Sequence, residues 1–168
     1  MHTPVLSDLP DFSPDSRVWV YVCNRQLTGA EAIEIQQQLN AFCQQWTAHN
    51  QALLATAEVF ENQFVLLMVD ETRAGASGCS IDKSVRFLEE LGSALNVDFF
   101  ERMRFAWVGE DNQLQFANQP ELVAAVKNQH ITEATLMVNT LVQSKRDLAE
   151  KWLQTFNKSW HRRIAAAH

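Results

Sequence analysis

An unbroken run of apolar residues spans positions 64–69 of the chain. Six apolar residues without a polar interruption predict a strand that is covered on both faces. Residues 17–23, RVWVYVC, are rich in β-branched and aromatic side chains and predict a first strand. Residues 52–61 predict a second strand, which a short polar turn joins to the apolar run.

A helix is predicted between the first two strands. Thr28 is followed three residues later by Glu31, which is the spacing of a capping box, and the apolar periodicity continues to Trp46. One face of this helix carries the large side chains that would pack on a sheet, namely Ile35, Leu39, Phe42 and Trp46.

A second helix follows the loop of small residues at positions 74–78. Gly75 and Gly78 are free to adopt positive φ there, and Ser80 or Asp82 is expected to cap the helix. Its buried face is predicted from a spacing near 3.6 residues to comprise Ile81, Val85, Leu88 and Leu95.

The C-terminal half is expected to add smaller elements. Strands are predicted near residues 104–109 and 114–117, and Pro120 suits the first turn of a helix over 120–129. Residues 135–142 favour a strand, although an amphipathic helix fits the same pattern. From position 144 onward a last helix is predicted, because large apolar side chains recur every fourth residue: Leu148, Trp152, Phe156 and Trp160.

These elements predict one α+β domain over residues 1–168. The order β-α-β-β-α-β is that of a ferredoxin-like core with a mainly antiparallel sheet, to which C-terminal helical additions are joined. Residues 1–16 contain three prolines and no basic residue, and they predict an extended lead-in. Residues 144–168 form a basic C-terminal helical segment.

Composition and charge exclude several classes of protein. Hydrophobic residues make up 46% of the 168 positions, which suits a folded core. Residues 1–144 carry 8 Lys/Arg against 18 Asp/Glu, whereas residues 145–168 carry 6 against 2, so the body should repel nucleic acid. Without a signal peptide or an apolar run of about 20 residues, no membrane partner is expected and the protein is predicted to be cytoplasmic. The three cysteines, Cys23, Cys43 and Cys79, are expected to be reduced thiols.

The loop 70–84 is the predicted site, because the ends of buried strands are common ligand positions in α/β proteins. A capped helix start presents backbone N–H groups to an anion, so a small anionic ligand is expected there. Asp70 is a candidate catalytic residue. The candidate ligand-binding residues are Glu71, Gly78, Ser80, Asp82 and Arg25.

Cys79 at the helix start is a candidate nucleophile, since helix N-termini lower thiol pKa values. His49, His130 or His161 could serve as its base, and His49 is the preferred candidate. The alternative is that Cys79 is a small packed residue. No cofactor and no metal site are predicted, because convergence of Asp70, Glu71 and Asp82 on a cation has no support in the sequence.

Residues 64–71, FVLLMVDE, are similar to a Walker B pattern, and SGCS at 77–80 is loosely similar to an ABC-ATPase signature. Nucleotide-dependent phosphoryl transfer in that class requires a Walker A loop, in which glycine is followed by lysine. None of the glycines in this chain has a lysine after it. ABC-type ATPase activity is therefore not expected.

A different class of function is a non-enzymatic interaction module. The sequence SWHRR at 159–163 places an aromatic side chain beside basic residues, in the segment that also contains Trp152. A partner would dock on this segment or on an uncovered sheet edge. Burial of both Trp152 and Trp160 would weaken this hypothesis. The oligomeric state, monomer or homodimer, is left open.

Several of these segments together resemble a known family over nearly the whole chain. They are RVWVYVCNRQLT, WTAH, FVLLMVDE, ASGCSIDKSVRFLEELG, VDFFER, NTLVQSKRDL and SWHRR. The chain is similar to small bacterial proteins of unknown function that are often labelled "ABC transporter ATPase", a label that the missing Walker A loop does not support. The resemblance implies family membership and no particular activity, cofactor or site.

Overall fold

The computed structural model describes residues 2–166, which contain nine strands and five α-helices. In chain order they are β1 (Arg17–Val22), α1 (Gly29–Gln45), β2 (Thr47–Ala48), β3 (Gln51–Ala52), β4 (Leu54–Phe60), β5 (Phe64–Asp70), α2 (Gly78–Leu95), β6 (Phe105–Val108), β7 (Leu114–Ala117), α3 (Gln119–Lys127), β8 (Leu136–Val138), α4 (Lys145–Lys151), β9 (Leu153–Thr155) and α5 (His161–Ala166). The predicted α+β class is confirmed. Within this range, none of the helices combines the length and apolar character needed to cross a membrane.

The apolar run forms the middle strand of a three-stranded antiparallel sheet, in the order β1-β5-β4. Every residue of β5 is buried, as predicted for a strand covered on both faces. Its side chains alternate between two cores. Val65, Leu67 and Val69 pack with α1 and α2, while Phe64, Leu66 and Met68 pack on the opposite side.

Helices α1 and α2 cover the first face of this sheet. The predicted capping box of α1 is present: the Thr28 hydroxyl accepts the Glu31 N–H, and the Glu31 carboxylate accepts the Thr28 N–H. The predicted face of α2 is confirmed only in part: Leu88 is buried and Leu95 packs against the core, but Ile81 and Val85 are only half-buried. The side fully buried against the core consists of Ser80, Ser84, Leu88 and Gly92, because small residues let the helix approach the sheet closely.

A second antiparallel sheet, in the order β7-β6-β8-β9, covers the other face of the first. Ala106 and Val138 pack toward the first sheet, whereas Phe105, Trp107 and Met137 pack toward α3 and α5. The described chain therefore stacks helices, the first sheet, the second sheet and further helices in that order.

The ferredoxin-like arrangement is not confirmed. Its fourth strand should pair with β1, but β6 pairs with β7 and β8 in the second sheet. Only Phe100 in the preceding segment forms a bridge to β1, at Val22. The physical reason is that a single helical layer leaves the Phe64, Leu66 and Met68 face uncovered, and the second sheet buries it.

The single C-terminal helix expected from position 144 is wrong. Helix α4 ends at Lys151, β9 joins the second sheet, and a 3₁₀ turn (Phe156–Lys158) precedes α5. Trp152 is 1% exposed and lies edge-on to Phe60 and Phe64 between the sheets. Burial of the indole redirects the chain, since an uninterrupted helix could not place β9 beside β8. Residues 136–138 form a strand, the favoured alternative for 135–142.

The N-terminal segment is not simply extended, because it contains a 3₁₀ turn (Val5–Asp8) with Leu6 buried. The basic C-terminal segment holds it in place. Lys145 Nζ donates to the carbonyls of Leu9 and Phe12, and Arg146 pairs with Asp15 at 2.8 Å. Met1 lies outside the described residues, as do residues 167–168 of the predicted C-terminal segment.

Candidate functional site

Asp70, a candidate catalytic residue, is buried and already has partners from the protein. Its carboxylate accepts hydrogen bonds from the Ser13 N–H at 2.9 Å, the Thr72 N–H at 3.0 Å and the Thr72 hydroxyl at 2.7 Å. The hydrogen bonds from the Ser13 backbone and from Thr72 lower the pKa of Asp70. Asp70 therefore ties the N-terminal segment to the end of β5.

The loop after β5 is closed by its own side chains. Glu71 is exposed and accepts the Ala76 N–H at 2.8 Å, which folds the loop back on itself. None of the glycines in the described range adopts positive φ, so the expectation for Gly75 and Gly78 is wrong. Asp82 is exposed on α2 but lies beyond its first turn, so the expected placement in the first turn is wrong.

The cap of α2 is Ser77, not Ser80 or Asp82 as predicted. The Ser77 hydroxyl accepts the Ser80 N–H at 3.1 Å, and the Ser80 hydroxyl accepts the Ser77 N–H at 2.7 Å. The Ser80 carbonyl also accepts the Trp46 indole N–H at 2.8 Å. Ser80 is therefore a buried structural residue, while Gly78 occupies the exposed first position of the helix.

Two of the candidate residues do come together. His49, in the turn between β2 and β3, and Cys79, at the start of α2, line one small cleft of about 200 Å³ with Lys83. The Cys79 thiol is exposed, so its alternative interpretation as a packed residue is wrong. Cys23 and Cys43 are buried instead, and burial raises the pKa of each thiol to about 12.

Arg25 lies apart from this cleft. Its guanidinium forms two hydrogen bonds of 2.9 Å to the Glu31 carboxylate and donates to the Leu95 carbonyl at 3.1 Å. The hydrogen bond from Arg25 is the main reason that the pKa of Glu31 falls to about 2. Arg25 thus links the start of α1 to the end of α2.

His161 does not line the cleft of Cys79 and lies in different surroundings. It is 1% exposed, stacks on Trp160 with ring centroids 3.8 Å apart, and lies 2.5 Å from the Ser159 hydroxyl through Nδ1. Burial lowers the pKa of His161 to about 4. The imidazole is therefore neutral at pH 7 and serves as a packed ring at the start of α5.

This lowered pKa predicts a pH-dependent stability. Between pH 6.5 and about 4 the unfolded chain binds the proton that folded His161 excludes, so stability falls as the pH falls through that window. From pH 7 to pH 4.5 the loss due to His161 should be about 2 kcal/mol. Urea unfolding at several pH values, compared with the variant His161→Gln, measures it. The carboxylates contribute equally to both proteins, so parallel pH profiles would contradict the prediction.

A different place, the outer edge of β1, combines a cleft with unpaired backbone groups. Along this edge the Val18 N–H donates to the Gln143 carbonyl at 3.0 Å, and the Val22 carbonyl accepts the Glu101 N–H at 3.2 Å. Strand alternation directs the N–H and carbonyl of Val20 to the same side. Among residues 2–166 these two groups of Val20 have no hydrogen-bond partner.

Val20 lies in a cleft of about 380 Å³ between the two sheets. We call it the edge cleft. Its lining is mostly apolar and includes Tyr21, Phe99, Phe100, Met103, Phe105, Leu141, Trp160 and Ile164. Met103 is 48% exposed and Leu141 is 62% exposed, which is unusual for large apolar side chains. An apolar cleft with a few polar groups is the usual form of a binding site.

The charged residues of the edge cleft are Glu101, Arg102 and Arg104. Arg104 donates to the Cys23 carbonyl at 2.9 Å and stacks on the Phe116 ring. Glu101 accepts the Met103 N–H at 2.8 Å. Arg102 is exposed and has no hydrogen bond or ion pair to any other residue that the structure describes. The cleft therefore carries a free positive charge in a chain of net charge −6.

Another cleft of about 380 Å³, at the C-terminal end of α2, is less suitable. It is more open to solvent, and its polar groups bond to each other: Asn24 Oδ1 accepts the Asp98 N–H, and Asp98 Oδ1 accepts the Phe100 N–H. Glu89 also lines it and makes it acidic. Of these two clefts, the edge cleft is therefore the better candidate site.

Within residues 2–166, no group of three His, Cys, Asp or Glu side chains is placed to hold a metal ion. The resemblance to the small bacterial family stays a prediction. No protein family, curated protein or solved structure matches this chain.

Proposed function

We propose that this chain is a cytoplasmic interaction protein that binds a short segment of a partner polypeptide in the edge cleft. The observation that carries the proposal is the unpaired backbone N–H and C=O of Val20, a residue that lines an apolar cleft. This site joins both parts of the interaction hypothesis, because an open sheet edge and Trp160 of the C-terminal segment line the same space.

A polypeptide suits Val20 because the residue offers one donor and one acceptor on the same side. An extended segment supplies both complements from the N–H and C=O of a single residue, as it does when it pairs with a sheet edge. A purely apolar molecule would leave both groups without a partner, and an unpaired buried peptide group costs about 1–3 kcal/mol. The main chain would thus provide affinity, and the apolar walls would select side chains.

At the opposite edge of the same sheet, a side chain satisfies the outward backbone groups of the edge strand β4. The Gln36 amide donates to the Ala57 carbonyl at 3.0 Å and accepts the Val59 N–H at 2.8 Å. A side chain thus occupies that edge of β4. No comparable side chain from the described residues reaches Val20.

The test is a selection from a random decapeptide library, displayed both through the N-terminus and through the C-terminus. Enriched peptides should bind the wild type at least about 10-fold more tightly than Leu141→Asp, because a charge on the rim disfavours apolar contacts. Leu141 is 62% exposed, so this variant should fold normally.

Ile33→Asp is the matched control. Ile33 is 63% exposed on α1 and does not line the edge cleft, so this variant should bind the enriched peptides as the wild type does. Circular dichroism would establish that all three proteins are folded. Equal binding by wild type and Leu141→Asp, or the absence of any enriched peptide, would contradict the proposal.

The anion site at loop 70–84 is the second candidate function. The observation in its favour is that His49, Cys79 and Lys83 line one cleft at the start of α2. Against it, the capping box already uses the Ser80 N–H, and Asp70, Glu71 and Arg25 bond to the protein itself. We therefore place this site second.

A further inference from the structure

We infer that the edge cleft receives the carboxyl-terminal end of a partner chain rather than an internal segment. This inference rests on the proposed function and adds the kind of polypeptide segment that is bound. Three features of the cleft carry it: the length of the open edge, the free charge at its rim, and the apolar side chains around it.

The open edge of β1 is short. Val18 is paired with Gln143 on one side of Val20, and Val22 is paired with Glu101 on the other. At about 3.3 Å per residue, these two positions are roughly 13 Å apart. A bound strand that continued in both directions would collide with the segments that already hold Val18 and Val22. The N–H and C=O of one residue near the end of a chain can bond to Val20 without displacing either segment.

A chain end also carries a charge for which the cleft has a partner. Arg102 makes no ion pair within the described range, and two arginines against one glutamate, Glu101, leave the cleft with a formal charge of +1. Guanidinium groups bind carboxylates through two parallel hydrogen bonds. A terminal carboxylate on Arg102 would be favoured although the protein as a whole has a net charge of −6.

The apolar walls of the edge cleft indicate which side chains the last residues of the ligand should carry. Met103 and Leu141 stand exposed at the rim, and Trp160 is half-buried beside them. The Trp160 indole N–H donates to Asn139 Oδ1 at 3.1 Å, which fixes the ring as a rigid surface. Apolar residues at the last one or two positions of the ligand would cover these side chains and gain about 25 cal/mol for each Å² buried.

The test uses fluorescein-labelled hexapeptides of the form Gly-Ser-Gly-Ser-X-X, in which each X is Val, Leu, Phe, Lys or Glu. Each peptide is made as the free acid and as the C-terminal amide, and affinity is measured by fluorescence polarisation. Free acids that end in Val, Leu or Phe should bind at least about 10-fold more tightly than their amides, which is the ratio expected from one charge-assisted contact.

The variant Arg102→Met should reduce binding of the free acids to the level of the amides and leave the amides unchanged. Arg86→Met is the matched control, because Arg86 is an exposed residue of α2 outside the cleft. Equal binding of acids and amides, or no effect of Arg102→Met, would overturn the chain-end inference while the proposed function stands. The absence of binding by every acid and every amide, together with an unsuccessful library selection, would overturn both.

Discussion

Replacing Trp152 by alanine should lower the free energy of unfolding by about 4 kcal/mol, which is typical of a large aromatic side chain removed from a core. Trp152 is 1% exposed, and its ring centroid lies 5.9 Å from that of Phe60 and 5.6 Å from that of Phe64. Its indole N–H donates to the His2 carbonyl at 2.7 Å. The variant would lose this hydrogen bond and leave a cavity between the two sheets.

The experiment is urea unfolding followed by far-UV circular dichroism, with Trp152→Phe as a graded control. Phenylalanine keeps most of the apolar contacts and loses the hydrogen bond, so a loss of about 1–2 kcal/mol is expected. Trp160→Ala should cost less than Trp152→Ala because Trp160 is only half-buried, yet it should weaken peptide binding. A loss below about 1 kcal/mol for Trp152→Ala would show that the packing of Trp152 does not hold the two sheets together.

Replacing Gly92 by alanine should destabilise the protein by at least about 2 kcal/mol, although alanine is the better helix former. A Cβ atom at this position would lie 2.4 Å from the Val97 carbonyl oxygen and 3.5 Å from the Phe99 ring. Since the clash is with backbone, the segment that leads from α2 to Phe100 would have to move. That segment forms one wall of the edge cleft, so peptide affinity should fall as well.

Gly78→Ala is the matched control, because its added Cβ would meet no atom within 4 Å. Gly78 is the first residue of α2, so this variant should change stability by less than about 1 kcal/mol. Thermal and urea unfolding of the two variants give the comparison. Equal stabilities for Gly92→Ala and Gly78→Ala would show that the close approach of residues 97–99 to α2 is not required.

Much of the first sheet could be predicted because its signals are local. The capping box of Thr28 and Glu31 and the apolar run of β5 both specify their elements from neighbouring residues. The pairing of β6 could not be predicted in the same way. It depends on which layer covers the Phe64, Leu66 and Met68 face, and that is a property of the whole chain.

The C-terminal helix was mispredicted for a related reason. Large apolar residues spaced four apart fit a helix, but Trp152 gains more by entering the space between the sheets than by lying along a helix face. The prediction for α2 instead missed positions that are buried. Ser84 and Gly92 are too small to register in an apolar pattern, yet they mark the closest contact with the core.

The surroundings of the candidate site residues could not be predicted, because sequence patterns do not show which polar groups are already paired. Asp70 and Arg25 are residue types that often act in catalysis or ligand binding, but here both form hydrogen bonds within the protein. The edge cleft depends instead on a backbone group of Val20 and on exposed apolar residues at positions 103 and 141. The local sequence did offer one sign of an exposed apolar residue, because Met103 stands between Arg102 and Arg104.

The most direct measurement is an NMR titration of the ¹⁵N-labelled protein with an enriched peptide, together with amide hydrogen exchange. In the free protein the Val20 N–H should exchange faster than the Val18 N–H, which is bonded to Gln143. Bound peptide should shift the Val20 resonance and slow its exchange at least about 10-fold. An unchanged Val20, with shifts grouped around Gly78 and Cys79 instead, would contradict the edge cleft as the binding site and favour the start of α2.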